Sequence, residues 1–217
     1  MSDTPTTLIV DWGGVLTGDM RTLVRKWTDA DGIDLDSYQA AMRNWFGDEV
    51  GLEARFNPVH ALERGEISVP DFEVHLAEAL SVSTGQTIVA EGLLNRMFKH
   101  FEHAPDMTGL VRRAHAAGIT TALLSNSWGN DYPRDGWADM FDVVVISGEV
   151  QMRKPEPRIF EHTLALLDRQ PGECVFVDDL RHNIAAAVEV GMIGILHTSY
   201  ESTATEIDIL FDRQLSS

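Results

Sequence analysis

Apolar positions fall along the chain in two rhythms. Five short runs are almost unbroken: TLIV (7–10), TTALLS (120–125), DVVVIS (142–147), CVFVDD (174–179) and IGILHT (193–198). Runs of this kind predict strands covered on both faces. Between the later four the spacing changes to that of a helix. Met107, Leu110, Val111, Ala114 and Ala117 recur on one face. Ile159, Phe160, Thr163, Leu164 and Leu167 do the same, with Pro157 at a first-turn position. Ile184, Ala185, Ala187 and Val188 predict a small-residue face that lies close on a sheet, with Gly191 ending the helix. Strand and helix alternating from about residue 104 predict an α/β fold with a parallel sheet.

The first two strands are separated by a long segment, and residues 18–103 show no clear strand. A βα connection is normally short, so an inserted helical lobe is expected there. Met20, Leu23, Val24 and Trp27 share one face; Phe72, Leu76, Ala79 and Leu80 share another. Ser68, Pro70 and Asp71 form a helix start, after a turn at Gly65. HAPD (103–106) reads as the return hinge, and 202–213 as a final helix. The organisation expected is a core of 1–17 and 104–217 with a helical cap over 18–103.

The 217 residues carry 34 acidic and 17 basic side chains, a net charge of −17. That balance disfavours a nucleic-acid partner, which needs a basic face, and an anionic membrane surface. It leaves room for one small phosphorylated ligand held by local cations. A lone cysteine, Cys174, lies in an apolar run and reads as a buried small hydrophobe, excluding an intrachain disulfide or multi-cysteine metal site. No stretch approaches the roughly 18 apolar residues of a membrane span, and the N-terminus lacks the features of a secretory signal. A soluble cytoplasmic protein is expected; the oligomeric state is not readable.

Chemistry gathers where strands end. Asp11 ends the first, Ser125 and Asn126 the second, Asp178 and Asp179 the fourth, and Lys154 follows the third. Ligands of open parallel sheets bind outside the carboxyl ends. Three carboxylates there would repel one another and raise each other's pKa. A hard divalent cation such as Mg²⁺ resolves the conflict, binding a few oxygens plus substrate phosphate.

In these motifs the sequence resembles the haloacid dehalogenase (HAD) superfamily. The run ending at Asp11, LLSNS, RKPEPRIF and FVDDLRHNIAAAVEVGM correspond to its four motifs in order. The insertion, with LERGEIS, resembles the helical cap of a subfamily that includes the phosphatase domain of soluble epoxide hydrolase and bacterial sugar-phosphate phosphatases. The resemblance implies a Rossmann-like sheet of order 5-4-1-2-3 and a Mg²⁺-dependent phosphatase acting on a small phosphorylated metabolite. It implies Asp11 as nucleophile through an aspartyl-phosphate, and Asp179 as the main acidic metal ligand beside it. Asp178 would stand close by as a further ligand or support, and the Gly13 carbonyl would complete the set. Ser125 and the Asn126 backbone would hold phosphoryl oxygens, and Lys154 would neutralise charge between Asp11 and phosphate.

Gly13 departs from the pattern, because most HAD phosphatases carry an acid–base aspartate there. Slow turnover, a good leaving group or a proton relay through another group would follow. Two alternatives stand beside the phosphatase: a metal-independent 2-haloacid dehalogenase, and a weakly active or inactive ligand- or partner-binding protein. Trp12 reads as packing, His182 as surface or helix-capping. His60, His75, His100 and His103 are candidates to line the cap, and Trp45, Phe46 and Phe56 to shape a pocket or pack its core.

Overall fold

A computed structural model describes residues 4–46, 57–129 and 132–216, with the Phe46 side chain left aside. Phe56 and the Phe46 side chain lie outside what is described. Five parallel strands form one sheet: β1 (Thr7–Val10), β2 (Thr120–Ser125), β3 (Val143–Ile146), β4 (Cys174–Asp178) and β5 (Ile193–Leu196). Their order is β3-β2-β1-β4-β5, the expected order read from the other edge. Val10 pairs with Leu123 on one side and Val177 on the other. β1 is therefore central: β2 and β3 are added on one side of it and β4 and β5 on the other, and this reversal of strand order opens a crevice between β1 and β4 at their carboxyl ends.

Side chains alternate across each strand, so each run feeds two cores. Leu8, Val10, Leu123, Val175 and Val177 pack toward α6 (Pro105–Ala116) and α10 (Tyr200–Phe211). Ile9, Ala122, Leu124, Val145 and Phe176 pack toward α8 (Pro157–Leu167) and α9 (Arg181–Val190). The three central strands β1, β2 and β4 are buried on both faces, which is why they read as continuous apolar runs.

The insertion is helical: α1 (Met20–Asp31), α2 (Leu35–Phe46), α3 (Pro58–Glu63), α4 (Val69–Thr84) and α5 (Leu93–Phe98). A separate apolar cluster holds it, built around Trp27, Phe72, Leu76, Leu80 and Leu94. Ser68 caps α4 by accepting from the Asp71 amide at 3.3 Å, as the sequence predicts. Two chain segments connect insertion to core. They run side by side, with Gly18 N–H donating to Glu102 O (2.7 Å) and Ala104 N–H to Leu16 O (3.0 Å).

Several expected faces are rotated. On α4, Ala77 is buried where Ala79 was expected, and Glu73 turns inward to accept from the Gly92 and Leu94 amides. That carboxylate satisfies the N-terminus of α5, which a hydrophobicity count cannot see. On α9 the buried positions are Asn183, Ala186 and Ala187, whereas Ala185 and Val188 face outward. Asn183 turns inward to bond a carboxylate, and the face turns with it. Ala117 is exposed beyond the end of α6. The last helix starts two residues early because Ser199 caps it by accepting from Ser202 N. No helix among the described residues is long and apolar enough to cross a membrane.

Candidate active site

Asp11 follows β1 directly, its amide donating to Val177 O at 2.9 Å. Its Oδ1 accepts from the Trp12 amide (2.7 Å) and ion-pairs with Lys154 Nζ (2.8 Å). Lys154 is 1% exposed, and its ammonium also donates to Asp178 Oδ2 (2.7 Å) and Leu124 O (2.9 Å). One lysine thus reaches the ends of β1, β2 and β4. Its own backbone is fixed by Asn126, which accepts from Lys154 N (2.8 Å) and donates from Nδ2 to Lys154 O (3.0 Å).

Asp178 is fully buried and saturated. Oδ1 accepts from the Leu180 amide (2.8 Å), and the Asn183 amide nitrogen reaches Oδ1 and Oδ2 at 3.1 and 3.0 Å. It supports the lysine and the turn into α9. Asp179 is half-buried, and its carboxylate lies against the turn at Gly14. Asp11, Asp178 and Asp179 each offer an oxygen within 4.8 Å of the others. Three hard carboxylate oxygens so placed suit Mg²⁺ in donor chemistry and in charge.

Three carboxylates face one ammonium, so the cluster is short of positive charge. Burial pulls the Lys154 pKa down, but Asp11 and Asp178 outweigh it and leave the lysine above its ordinary range. The deficit falls on the acids. Burial first, then Asp178 and Asp179, push Asp11 up to about 7 against the pull of Lys154. Burial and Asp178 push Asp179 up to about 6. A bound cation would return both to the carboxylate form.

Ser125 ends β2 with its hydroxyl 3.0 Å from the Tyr132 hydroxyl, which also donates to Asn126 O at 3.4 Å. Sequence reasoning missed Tyr132, which sits in a loop without periodicity. The same phenol packs edge-on to Trp12 at 5.8 Å, and Trp12 lies 5.4 Å from Trp137. Trp12 is thereby the packing residue it was read to be. Asn183 was missed too. Its place, five residues after Asp178 inside a helix, was the available signal.

The two glycines after Asp11 differ. A Cβ at Gly14 would lie 2.7 Å from Asp179 Cγ, and φ there is +74°. Gly14 lets the Asp179 carboxylate lie against the turn. A Cβ at Gly13 would meet only Met20 Sδ, at 3.7 Å, an ordinary contact. Position 13 therefore has room for a Cβ.

The histidines scatter. His182 is exposed on the first turn of α9. His103 is exposed on the connecting segment, 6.4 Å edge-on from Trp12. His60 is half-buried in α3, and burial with Arg153 and Arg64 lowers it to about 4. Trp45 packs on Phe72 at 5.9 Å within the helical cluster.

A family model for haloacid dehalogenase-like hydrolases matches residues 5–191. Rat bifunctional epoxide hydrolase 2 is 29% identical over 166 residues, 70% of this chain and 30% of that protein. A sesquiterpene phosphatase of Aspergillus oryzae is 33% identical over 106 residues, 46% of this chain and 54% of that protein. The chain spans between 30% and 54% of the length of these two curated relatives through the matched segments. A HAD family enzyme from Bacteroides thetaiotaomicron, solved with magnesium and inorganic phosphate, shares the fold. Its TM-score is 0.64 at 21% identity, over 89% of this chain and 94% of that one.

Proposed function

Because the chain belongs to the haloacid dehalogenase-like hydrolases, we propose that it is a Mg²⁺-dependent phosphatase. Its substrate would be a small phosphorylated metabolite, hydrolysed through an aspartyl-phosphate at Asp11. The observation that carries this reading is the single buried ammonium of Lys154 against Asp11 and Asp178, with Asp179 completing a three-carboxylate cluster. Such a cluster is poised to gain a cation and an anionic phosphoryl group together. The phosphatases among the relatives support the same reading.

Asp11, Asp179 and the Gly13 carbonyl would hold Mg²⁺, with Asp178 behind them. The ion would supply positive charge to the phosphoryl oxygens and favour the ionised nucleophile. The chain's own residues do the rest. The bonds to Oδ1 orient the Asp11 carboxylate and present Oδ2 to phosphorus. Oδ2 attacks, the P–O bond to the leaving group breaks, and Lys154 offsets the charge on the transferring group. The Ser125 hydroxyl, held by Tyr132, and the Asn126 backbone bind phosphoryl oxygens. Water then attacks phosphorus, releasing inorganic phosphate and restoring the carboxylate. Residues 18–103 act as a cap that excludes bulk water and selects the leaving group.

With glycine at 13, no side chain there protonates the leaving oxygen. Substrates whose leaving groups depart as weak bases, such as anomeric sugar phosphates, are favoured. The same glycine supports a second reading, a weakly active ligand-binding member of the family.

A panel of phosphorylated metabolites assayed with and without Mg²⁺, with Asp11→Asn as control, tests the proposal. Metal-dependent phosphate release that disappears in the variant is expected. Folded, Mg²⁺-binding protein with no turnover across the panel favours the binding reading, and metal-independent chloride release from 2-haloacids favours a dehalogenase.

A further inference from the structure

The last residue of α3, Glu63, is buried at the seam between the helical insertion and the sheet. Its Oε2 accepts from Arg153 Nε at 2.5 Å and its Oε1 from Trp128 Nε1 at 3.3 Å. Both partners of the ion pair have side chains only 9% exposed. The Glu63 carbonyl accepts from Ser147 Oγ (2.5 Å), and that hydroxyl accepts from Ser127 N (2.8 Å). One turn of the insertion is thus fastened to three core segments: the loop after β2, the start of the short helix α7 (Ser147–Val150), and Arg153.

Two of those segments carry the proposed phosphoryl site. Ser127 follows Asn126, and Arg153 precedes Lys154. Asn126 and Lys154 are already locked to one another by two hydrogen bonds. The seam is also close. A Cβ at Gly65 would lie 2.8 Å from Gly148 O, and Arg64 Nη1 donates to Glu156 Oε1 at 3.0 Å. Glu156 in turn accepts from Arg153 N at 3.4 Å.

A buried charge pair is weak evidence for stability. Desolvating a carboxylate and a guanidinium costs about as much as their attraction returns, and an apolar pair of similar volume is often as stable. A guanidinium fork does provide direction, which apolar side chains lack.

We propose that Glu63 and Arg153 are positioning residues: from the insertion, they fix the 153–154 segment and so the place of the Lys154 ammonium. Neither touches the reacting atoms. The kinetic consequence rests on the phosphatase reading; the structural one does not.

Three variants of the full chain test this: Glu63→Gln, Arg153→Met, and the apolar double Glu63→Leu/Arg153→Met. Turnover of p-nitrophenyl phosphate at saturating Mg²⁺ is measured beside thermal stability and hydrogen exchange of the Lys154 amide. A misplacement of about 1 Å can cost roughly a hundredfold, so kcat is expected to fall about 10–100-fold, with KM within about threefold. The double variant regains the melting temperature lost by Arg153→Met but does not regain kcat. In Glu63→Gln the Lys154 amide, which donates to Asn126, exchanges about tenfold faster or more while amides of β1 and β4 keep their rates. Recovery of kcat together with stability in the double variant would overturn the proposal and leave the pair as a strut. Unchanged Lys154 exchange in Glu63→Gln would overturn it as well. If the wild-type protein turns over no phosphate ester, the functional reading falls, and the exchange measurement still decides the latch.

Discussion

Charge arithmetic at the end of β1 predicts that two neighbouring substitutions move stability in opposite directions. Lys154→Met removes the one ammonium from among three carboxylates and breaks its contacts at 2.7, 2.8 and 2.9 Å. Breaking a buried pair by deleting one partner costs about 3–5 kcal/mol. At about 2–4 °C per kcal/mol for a chain of this size, the melting temperature should fall by roughly 6–20 °C without metal. Asp11→Asn does the reverse. The Asp11 carboxyl rises from 3.8 to about 7 on folding, so between those values the folded state binds more protons than the unfolded state. Stability contributed by the protonated form is therefore present in acid and lost as pH rises through 7. Asparagine lacks that loss. The ceiling on its gain is about 4 kcal/mol, from a shift near three units at about 1.4 kcal/mol each. Losing the Lys154 ion contact reduces it. Denaturant unfolding of metal-free protein at pH 5 and pH 8 measures both effects. The expected pattern is Lys154→Met much weaker than wild type at pH 8, and Asp11→Asn equal or stronger, with an advantage that grows from pH 5 to pH 8. If Asp11→Asn is destabilised as much as Lys154→Met, or its difference from wild type ignores pH, the reasoning about charge deficit is wrong.

Mg²⁺ at about a hundred times its Kd should stabilise the wild type by about 2.7 kcal/mol; a melting scan should show the rise, EDTA should reverse it, and Asp179→Asn should abolish it. Gly14→Ala should weaken that Mg²⁺ response and cost about 1–3 kcal/mol, because the added methyl meets the Asp179 carboxyl at a left-handed backbone position; calorimetry with and without metal reads both. At Gly13 an added Cβ meets only Met20 Sδ, at an ordinary 3.7 Å, and Gly13→Asp should raise kcat for alkyl phosphates by about tenfold or more while changing p-nitrophenyl phosphate little, because acid help matters most for poor leaving groups. Equal effects on both substrates would show that proton transfer does not limit the reaction.

The sheet was legible because its central strands are buried on both faces, so TLIV and CVFVD announce themselves without context. The carboxylate cluster was legible because each member ends a strand, and parallel strands bring their ends to one edge. What escaped depends on polar side-chain contacts that apolar spacing does not announce, some local and some between segments far apart in the chain. Glu73 and Asn183 are polar residues turned inward to satisfy an α5 N-terminus and an aspartate, so they rotate their helices away from the pattern that apolar residues alone predict. Tyr132 reaches Ser125 from an irregular loop. Glu63 and Arg153 stand 90 residues apart in sequence, and neither is distinguishable there from a solvated charge. Asp178 was read as a metal ligand or its support; its saturated hydrogen bonds give the supporting role a physical basis.

The central claim is that Asp11 accepts a phosphoryl group. Acid-quenched protein from a rapid reaction with a turned-over phosphate ester and Mg²⁺, digested and analysed by mass spectrometry, tests it most directly. The account predicts a peptide spanning Asp11 that carries one added phosphoryl group, labile to hydroxylamine and missing from Asp11→Asn. Turnover with that peptide unmodified at every quench time, or with the phosphoryl group on another residue, would contradict it.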